Sequence, residues 1–142
     1  MIPAPFEYQR AESVDHAIQV LSDEPEAKIL AGGHSLLPLM RVRLARPSFL
    51  VDISRIQDLK YVKEDGDQVA IGALTRHHDV ANSEVLHELC PIVAYAAGEI
   101  GDPQVRHVGT IGGSVAHADP ASDMPTVLLA LGAEMVVRGP DG

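Results

Sequence analysis

The feature that most constrains the fold is a pair of glycines between two apolar runs, in the segment AGGHSLLPLM at residues 31–40. The stretch AKILAG leading into it is typical of a short β-strand, and the overlapping SLLPLMRVRL is typical of a helix. Two adjacent glycines at such a junction either form a turn or let a ligand approach the backbone closely. The pattern predicts a strand, a glycine loop and a helix in succession.

Regular patterns flank this unit on both sides. Val14, Ala17, Ile18 and Leu21 have the i, i+3, i+4, i+7 spacing of one helix face, and Ser13 precedes them as the predicted N-cap. Downstream, SFLVDIS at residues 48–54 is a run of strand-forming residues. The predicted order is α, β, α, β, and we assign residues 1–57 to an N-terminal α/β lobe.

The pattern changes after residue 57. LKYVKEDGDQVAIGAL contains two extended runs around Asp65-Gly66, which is a strong hairpin signal. Residues 77–101 predict two short helices, whereas residues 102–125 show no sustained period and predict a long loop. ASDMPTVLLALG predicts a helix, and AEMVVR at residues 133–138 predicts a strand that forms half of a hairpin. We therefore expect residues 58–142 to be the first part of an incomplete α+β lobe, and the chain to be a fragment of a longer product.

Cysteine content and charge exclude several classes of function. A single cysteine, Cys90, rules out an internal disulfide and a thiolate-ligated zinc or iron–sulfur centre made by this chain alone. The formal net charge of −9 argues against nucleic-acid binding, because neutralising phosphates requires clustered Lys and Arg. No apolar run is long enough to cross a bilayer and no secretory signal is visible, so the sequence predicts a cytoplasmic protein.

A second glycine-rich segment, GTIGGS at residues 109–114, lies inside the aperiodic stretch. Binding a pyrophosphate requires several N–H donors directed at one point with no side chain in the way, and glycines before a helix meet that requirement. Neither segment has the G-x-G-x-x-G or G-x-x-x-x-G-K-[ST] pattern of the common nucleotide-binding motifs. Taken singly, each glycine pair is also compatible with a simple turn.

Three stretches, AGGHSLLPLM, IGDPQVRHVGTIGGSVAHADPASDMP and the opening FEYQRAESVDHAIQVL, resemble one known family in order and over nearly the whole chain. The family is the FAD-binding medium subunit of the molybdenum hydroxylases, of the aerobic carbon monoxide dehydrogenase and xanthine dehydrogenase type, and the resemblance covers its N-terminal half. It implies an FAD-binding domain of the vanillyl-alcohol-oxidase (PCMH) type. That domain has an α+β fold in two small lobes, the first with a short, mostly parallel sheet and the second with an antiparallel sheet, with FAD between them.

The resemblance also implies which residues contact FAD. The two glycine-rich segments would hold the diphosphate and its neighbours, Asp123 would contact the ribose or the adenine side, and Ile100 and Gly101 would lie near the flavin. Members of the family often carry Asn where this chain has Ser114. The implied FAD contacts are Ala31, Gly32, Gly33, His34, Ser35, Leu36, Ile100, Gly101, Thr110, Ile111, Gly112, Gly113, Ser114 and Asp123.

The function that the resemblance implies is that of an oxidoreductase subunit. It would bind FAD and pass electrons from the iron–sulfur clusters of a small subunit to an external acceptor, while hydroxylation takes place in a molybdopterin-binding large subunit. The chain itself is predicted to hold no catalytic residue and no metal, and to be inactive alone. Two alternatives remain open: a stand-alone FAD-dependent oxidase or reductase, and a truncated nucleotide-binding or subunit-interaction module without activity.

Several polar residues have both a structural and a functional interpretation. His34 either contacts the cofactor or packs locally. The pair His77-His78 is a poor metal site, because adjacent side chains diverge and no cysteine or paired carboxylate has ligand spacing. A row of arginines either packs its aliphatic stems on the surface or faces a partner subunit; its members are Arg41, Arg43 and Arg46.

Overall fold

The computed structural model describes all of residues 1–142. The chain divides into two compact units, one made of residues 1–56 and 135–142 and the other of residues 57–134. The first unit contains a three-stranded sheet and two helices, and the second contains a two-stranded sheet and six helices. The predicted α+β class, with a parallel sheet early in the chain and an antiparallel sheet later, is confirmed.

The first unit is built around a short parallel sheet. The middle strand pairs with both neighbours in parallel, and Leu50 and Val51 on it are completely buried, which explains its continuous apolar sequence. Ser13 caps the first helix by accepting a hydrogen bond from the backbone N–H of His16, as predicted. The elements are β1 Glu7–Arg10, α1 Val14–Asp23, β2 Lys28–Leu30, α2 Leu36–Arg41 and β3 Phe49–Asp52, and the strand order is β1-β3-β2.

A buried carboxylate closes the carboxyl end of β3. Asp52 accepts hydrogen bonds from the hydroxyl of Tyr8 on β1 and from the backbone N–H of Ser54 at 2.8 Å, and the Arg10 guanidinium lies 3.7 Å away. Burial raises the pKa of Asp52, but the hydrogen bonds from Tyr8 and Ser54, with the nearby Arg10 charge, outweigh it and hold the pKa below its ordinary value. The ionised carboxylate therefore ties β1 to the end of β3.

The second unit begins with a 3₁₀ turn at Gln57–Leu59 and a β-hairpin. The hairpin turns at Gly66 and Asp67, where Gly66 has a φ of +66°, so the hairpin predicted around Asp65-Gly66 is confirmed. Six helices follow. The elements are β4 Val62–Asp65, β5 Gln68–Ile71, α3 His77–Ala81, α4 Glu84–Leu89, α5 Pro91–Glu99, α6 Pro103–Arg106, α7 Ile111–His117 and α8 Asp123–Ala130.

Helix α5 lies at the centre of the second unit. It packs against α3, α4 and α8, and its alanines let the neighbouring helices approach closely. Pro91 starts the helix at a position where the missing N–H carries no cost. The buried core of the unit consists of Val80, Leu86, Val93, Ala94, Ala96, Ala97, Ile111, Met124 and Leu128.

Residues 102–125 are not the aperiodic loop that the sequence predicts. Asp102 caps α6 by accepting from the backbone N–H of Val105 at 2.9 Å, and Thr110 caps α7. Helices α6 and α7 have four and seven residues, which is too short for a 3.6-residue apolar period to appear in the sequence. Local capping, rather than periodicity, is what marks these two helices.

Three other predictions of secondary structure are corrected. Residues 77–101 form three helices instead of two, and β1 has no counterpart among the predicted strands. Residues 133–138 form no strand, and Val136 and Val137 are exposed there. Strand-forming residues make a strand only where a neighbouring strand accepts and donates their backbone hydrogen bonds, and none of the five strands pairs with this segment.

Candidate functional site

The first glycine-rich segment links β2 to α2 in the first unit. Gly33 has a φ of +76°, a conformation that side chains disfavour, and its carbonyl accepts from the backbone N–H of Leu37 at 2.9 Å. A Cβ added at Gly33 would lie 2.9 Å from Leu37 Cδ1 and 3.1 Å from Leu30 Cδ1. Gly33 thus makes the turn from strand to helix, and no β-carbon projects from it.

The backbone of this segment carries a run of free donors. None of the N–H groups of residues 31–36 donates a hydrogen bond to another group of the chain. Ser35, at the N-cap position, has helical backbone angles and makes no capping bond, and His34 and Ser35 are both exposed. Six successive amides without an acceptor are a natural binding surface for an anion or for carbonyl oxygens.

The second glycine-rich segment is arranged differently. Thr110 forms a bridge with Arg76, and Thr110 Oγ1 accepts from Gly113 N at 3.2 Å. The N–H of Ile111 donates to Thr75 O at 3.0 Å, and that of Gly112 donates to Ala73 O at 2.9 Å. The N–H groups of residues 111–113 are therefore already engaged within the chain, and they are not the free phosphate donors that the sequence interpretation expected.

Close packing explains the glycine at position 112. A Cβ there would lie 2.6 Å from both Cβ and O of Ala73, closer than real Cβ atoms approach one another. At Gly113 a Cβ would lie 2.8 Å from the Thr110 hydroxyl that caps the helix. Gly112 thus lets α7 begin against Ala73, in the segment that follows β5, and Gly113 leaves room for the capping hydroxyl of Thr110.

The remaining predicted site residues of the second unit lie around α6, α7 and the start of α8. Ser114 Oγ is 2.9 Å from Ser122 Oγ, which joins α7 to the N-cap of α8, and Asp123 is the exposed first residue of α8. Gly101 has a φ of +45°, and the carbonyl of Ile100 accepts from the Arg106 guanidinium at 3.0 Å. The predicted residues of this unit thus lie in or beside α7, at the C-terminal end of α5 or at the start of α8. Gly101 and Asp123 are exposed, whereas Thr110 and Ile111 are buried.

His77 is a residue of this region that the sequence analysis treated only as half of a weak metal pair. It is 4% exposed, its backbone N–H donates to Gly109 O at 3.1 Å, and its Nδ1 has no hydrogen-bond partner. Burial lowers the pKa of His77, so the ring is neutral at pH 7. A Cβ added at Gly109 would lie 3.0 Å from Cδ2 of His77, so the His77 ring packs against the start of the second glycine-rich segment.

The neighbouring histidine faces elsewhere. His78 stacks on His107, with ring centroids 4.0 Å apart, and is only partly buried. No group of three or more His, Cys, Asp or Glu side chains is arranged to hold a metal ion. No local sequence signal distinguishes His77 from His78, because only the packing of Gly109 against α3 determines which ring is enclosed.

Comparison with known proteins gives consistent matches along the whole chain. Residues 4–142 match the family described as the FAD binding domain in molybdopterin dehydrogenase. The glyceraldehyde dehydrogenase medium chain of Sulfolobus acidocaldarius is 44% identical over 142 residues, which are 100% of this chain and 50% of that protein. The carbon monoxide dehydrogenase medium chain of Hydrogenophaga pseudoflava is 46% identical over 143 residues, again 100% of this chain and 50% of that protein.

Solved structures agree with the sequence matches. A carbon monoxide dehydrogenase from Hydrogenophaga pseudoflava that lacks the Mo-pyranopterin moiety of its cofactor superimposes with a TM-score of 0.97 at 47% identity. The match covers 100% of this chain and 50% of that one. The chain thus spans about half the length of the curated relatives it matches. No helix has the length and apolar character needed to cross a membrane.

Proposed function

The chain belongs to the FAD-binding domain family of the molybdopterin dehydrogenases, and from this premise we propose that it forms part of the flavoprotein subunit of a molybdenum hydroxylase. In this proposal the subunit binds FAD and passes electrons from the iron–sulfur clusters of a small partner subunit to an external acceptor. A large partner subunit binds the molybdopterin and carries out the hydroxylation. The relatives with these matches are dehydrogenase medium chains, which supports an oxidoreductase role.

The observation that carries the proposal is the run of free N–H groups at residues 31–36. A dinucleotide cofactor presents a diphosphate, whose oxygens accept several hydrogen bonds at once. The loop offers donors without an intrachain acceptor, and the positive φ of Gly33 turns the backbone there without a β-carbon. These properties fit the diphosphate of FAD, and we assign Ala31, Gly32, Gly33, His34, Ser35 and Leu36 to that contact.

The second segment contributes in another way. Because the N–H groups of Ile111, Gly112 and Gly113 are engaged, the segment offers the cofactor its glycine Cα surface and the side chain of Ser114. We propose that Thr110 acts as the cap that holds this turn in place, and that Asp123 presents an exposed carboxylate for a ribose hydroxyl. Ile100 and Gly101 complete the set as the residues near the flavin.

The redox chemistry belongs to the cofactor. FAD stores two electrons, so it can connect single-electron donors to a two-electron acceptor. The chain supplies backbone donors and shape, and its single cysteine cannot by itself provide the thiolates of an iron–sulfur cluster. We keep the cytoplasmic location predicted from the sequence as part of this proposal.

The test compares two glycines of similar conformation in the full-length gene product. Gly33→Ala and Gly66→Ala both place a β-carbon at positive φ, +76° and +66°, and so impose a similar backbone strain of about 1–2 kcal/mol. Only Gly33 lies in the proposed cofactor loop. FAD affinity is measured by fluorescence titration of the apoprotein, and folding by circular dichroism and urea midpoint.

We expect Gly33→Ala to weaken FAD binding by about 10- to 100-fold, because misdirecting one amide–phosphate bond costs about 1.5–3 kcal/mol. Gly66→Ala should bind FAD like the wild type. Its loss of stability should be smaller than that of Gly33→Ala, because a β-carbon at Gly66 meets nothing within 4 Å. Equal FAD affinity in Gly33→Ala and the wild type would mean that the loop is only a turn. Reduction of the flavin by an organic substrate in the isolated subunit would instead favour a stand-alone flavin enzyme.

A further inference from the structure

Positive charge in this acidic chain is concentrated in one part of the first unit. Residues 27–51 contain no Asp or Glu although the chain has 20 of them, and they carry four of its 11 Lys and Arg residues. Three of the four follow one another closely at the end of α2: Arg41, Arg43 and Arg46. None of them takes part in either of the two salt bridges of the structure.

The end of α2 has a backbone that normally requires glycine. The N–H of Arg43 donates to Met40 O at 3.0 Å, and that of Leu44 donates to Leu39 O at 2.9 Å, which is the hydrogen-bond pattern of a Schellman motif. Arg43 occupies the left-handed position of this motif with a φ of +60°, where glycine is usual. A residue with a disfavoured backbone at this point indicates that its side chain is needed there.

The side chain of Arg43 joins this turn to the N-terminal segment. Arg43 Nε donates to the carbonyl of Ile2 at 3.2 Å, and Arg46 Nε donates to the carbonyl of Arg43 at 3.0 Å. Leu44 follows the left-handed position and is 79% exposed, so its side chain does not pack back against α2. Ile2 is 78% exposed. We call the group Ile2, Arg41, Val42, Leu44 and Arg46 the α2-end surface.

Apolar side chains beside arginines that have no carboxylate partner are typical of protein interfaces. Arginine is enriched there, and an apolar centre is surrounded by a polar rim. The apolar part distinguishes this surface from a phosphate-binding patch. The net charge of −9 also opposes approach to nucleic acid or to an anionic membrane. A protein surface complementary to it would carry acidic side chains around an apolar pocket.

We propose that the α2-end surface docks onto an acidic surface of a partner polypeptide within the enzyme assembly, with Leu44 entering an apolar pocket and Arg41 and Arg46 facing carboxylates. This inference rests on the proposed function, since it takes the assembly from there and adds the contact surface. Arg43 acts as the positioning residue that holds Ile2 beside the turn. Charge complementarity makes the contact sensitive to salt.

The test uses the full-length protein with its FAD and each proposed partner subunit, purified separately. The double variant Arg41→Glu/Leu44→Asp changes the α2-end surface but spares Arg43 and Arg46, whose side chains hold the local backbone. The control is Lys63→Glu/Leu129→Asp in the second unit, which makes the same two kinds of change at an exposed lysine and at a leucine that is 82% exposed. Complex formation is measured by titration at low and high salt, and the flavin content of each sample by absorbance.

We expect the surface variant to weaken the complex at least about tenfold at low salt and to flatten its salt dependence, with the flavin content unchanged. The control should bind like the wild type. Equal binding of the surface variant and the wild type, or an equal loss in the control, overturns the inference. If the wild-type chain holds FAD but binds neither subunit, the docking surface is wrong while the cofactor assignment stands. A wild-type chain that binds no added FAD but forms a salt-sensitive complex would instead contradict the cofactor assignment and support the docking surface.

Discussion

Gly112 offers the sharpest test of how the second glycine-rich segment is built. In Gly112→Ala the new β-carbon would lie 2.6 Å from Cβ and O of Ala73 and 2.9 Å from its Cα. Carbon atoms pack at about 3.5–4.0 Å, so α7 and the Ala73 backbone must separate by about 1 Å. Such overpacking costs about 1–3 kcal/mol, and stretching the 2.9 Å bond from Gly112 N to Ala73 O adds about 1 kcal/mol.

Against this cost stands the gain of about 0.5–1 kcal/mol that alanine brings to a helix in place of glycine. We therefore expect Gly112→Ala to lower the free energy of unfolding by about 2 kcal/mol, because the overpacking and the stretched hydrogen bond outweigh the helix gain. Gly98→Ala is the matched control, because Gly98 lies inside α5 and its added β-carbon would meet only Ala81 Cβ at 4.0 Å. That variant should gain about 0.5 kcal/mol.

The assay is urea unfolding followed by circular dichroism at 222 nm, on the full-length protein without added FAD. For a slope of about 1–3 kcal/mol per molar urea, the two midpoints should move in opposite directions and differ by about 1–2 M. The reasoning is refuted if Gly112→Ala unfolds at the wild-type midpoint or above it. An equal loss in both variants would equally refute it, since it would show that any alanine in these helices is harmful.

Two further predictions concern buried ionisable groups. Burial lowers the pKa of His77 below the ordinary 6.5. As the pH falls, His77 therefore takes up a proton more readily in the unfolded chain than in the folded one. The free energy of unfolding should decline below pH 6.5 by up to about 1.4 kcal/mol per pH unit. His77→Gln should lessen the difference between the urea midpoints at pH 7.5 and pH 5.5. A difference as large as that of the wild type would contradict the burial argument. Tyr8→Phe removes a donor from the Asp52 carboxylate, and should cost about 1–3 kcal/mol at pH 7. The lowered pKa of Asp52 stabilises the fold above pH 3.8, and this stabilisation is lost as the pH falls through the folded-state pKa. The loss of stability caused by Tyr8→Phe should therefore shrink on acidification. A loss that is the same at pH 7 and pH 2 would contradict the role given to the hydrogen bond from Tyr8 to Asp52.

Several elements follow from neighbouring residues alone. Ser13 before an apolar helix face predicts α1 and its cap, and the glycine after Asp65 predicts the hairpin. The glycine pair before α2 predicts a glycine loop between a strand and a helix, and the structure has that loop, with Gly33 at positive φ. These features are local, because capping, turn conformation and helix periodicity depend on residues within one or two turns of one another.

Other elements depend on contacts between residues that are distant in sequence. The polar strand β1 exists because β3 offers it an edge to pair with, while the more strand-like residues 133–138 lack such an edge. The buried Asp52 accepts a hydrogen bond from Tyr8, 44 positions away. No pattern within either segment shows these pairings.

The two glycine-rich segments show the same division within the candidate site. The sequence by itself identified both as places where side chains are excluded, and together with the other motifs it indicated the family. Only the tertiary structure distinguished their roles: the amides of residues 31–36 remain free, whereas those of residues 111–113 are bound to Ala73, Thr75 and Thr110. A glycine signals that space is needed at its α-carbon, but whether a ligand or another part of the chain occupies that space is decided by packing between distant segments.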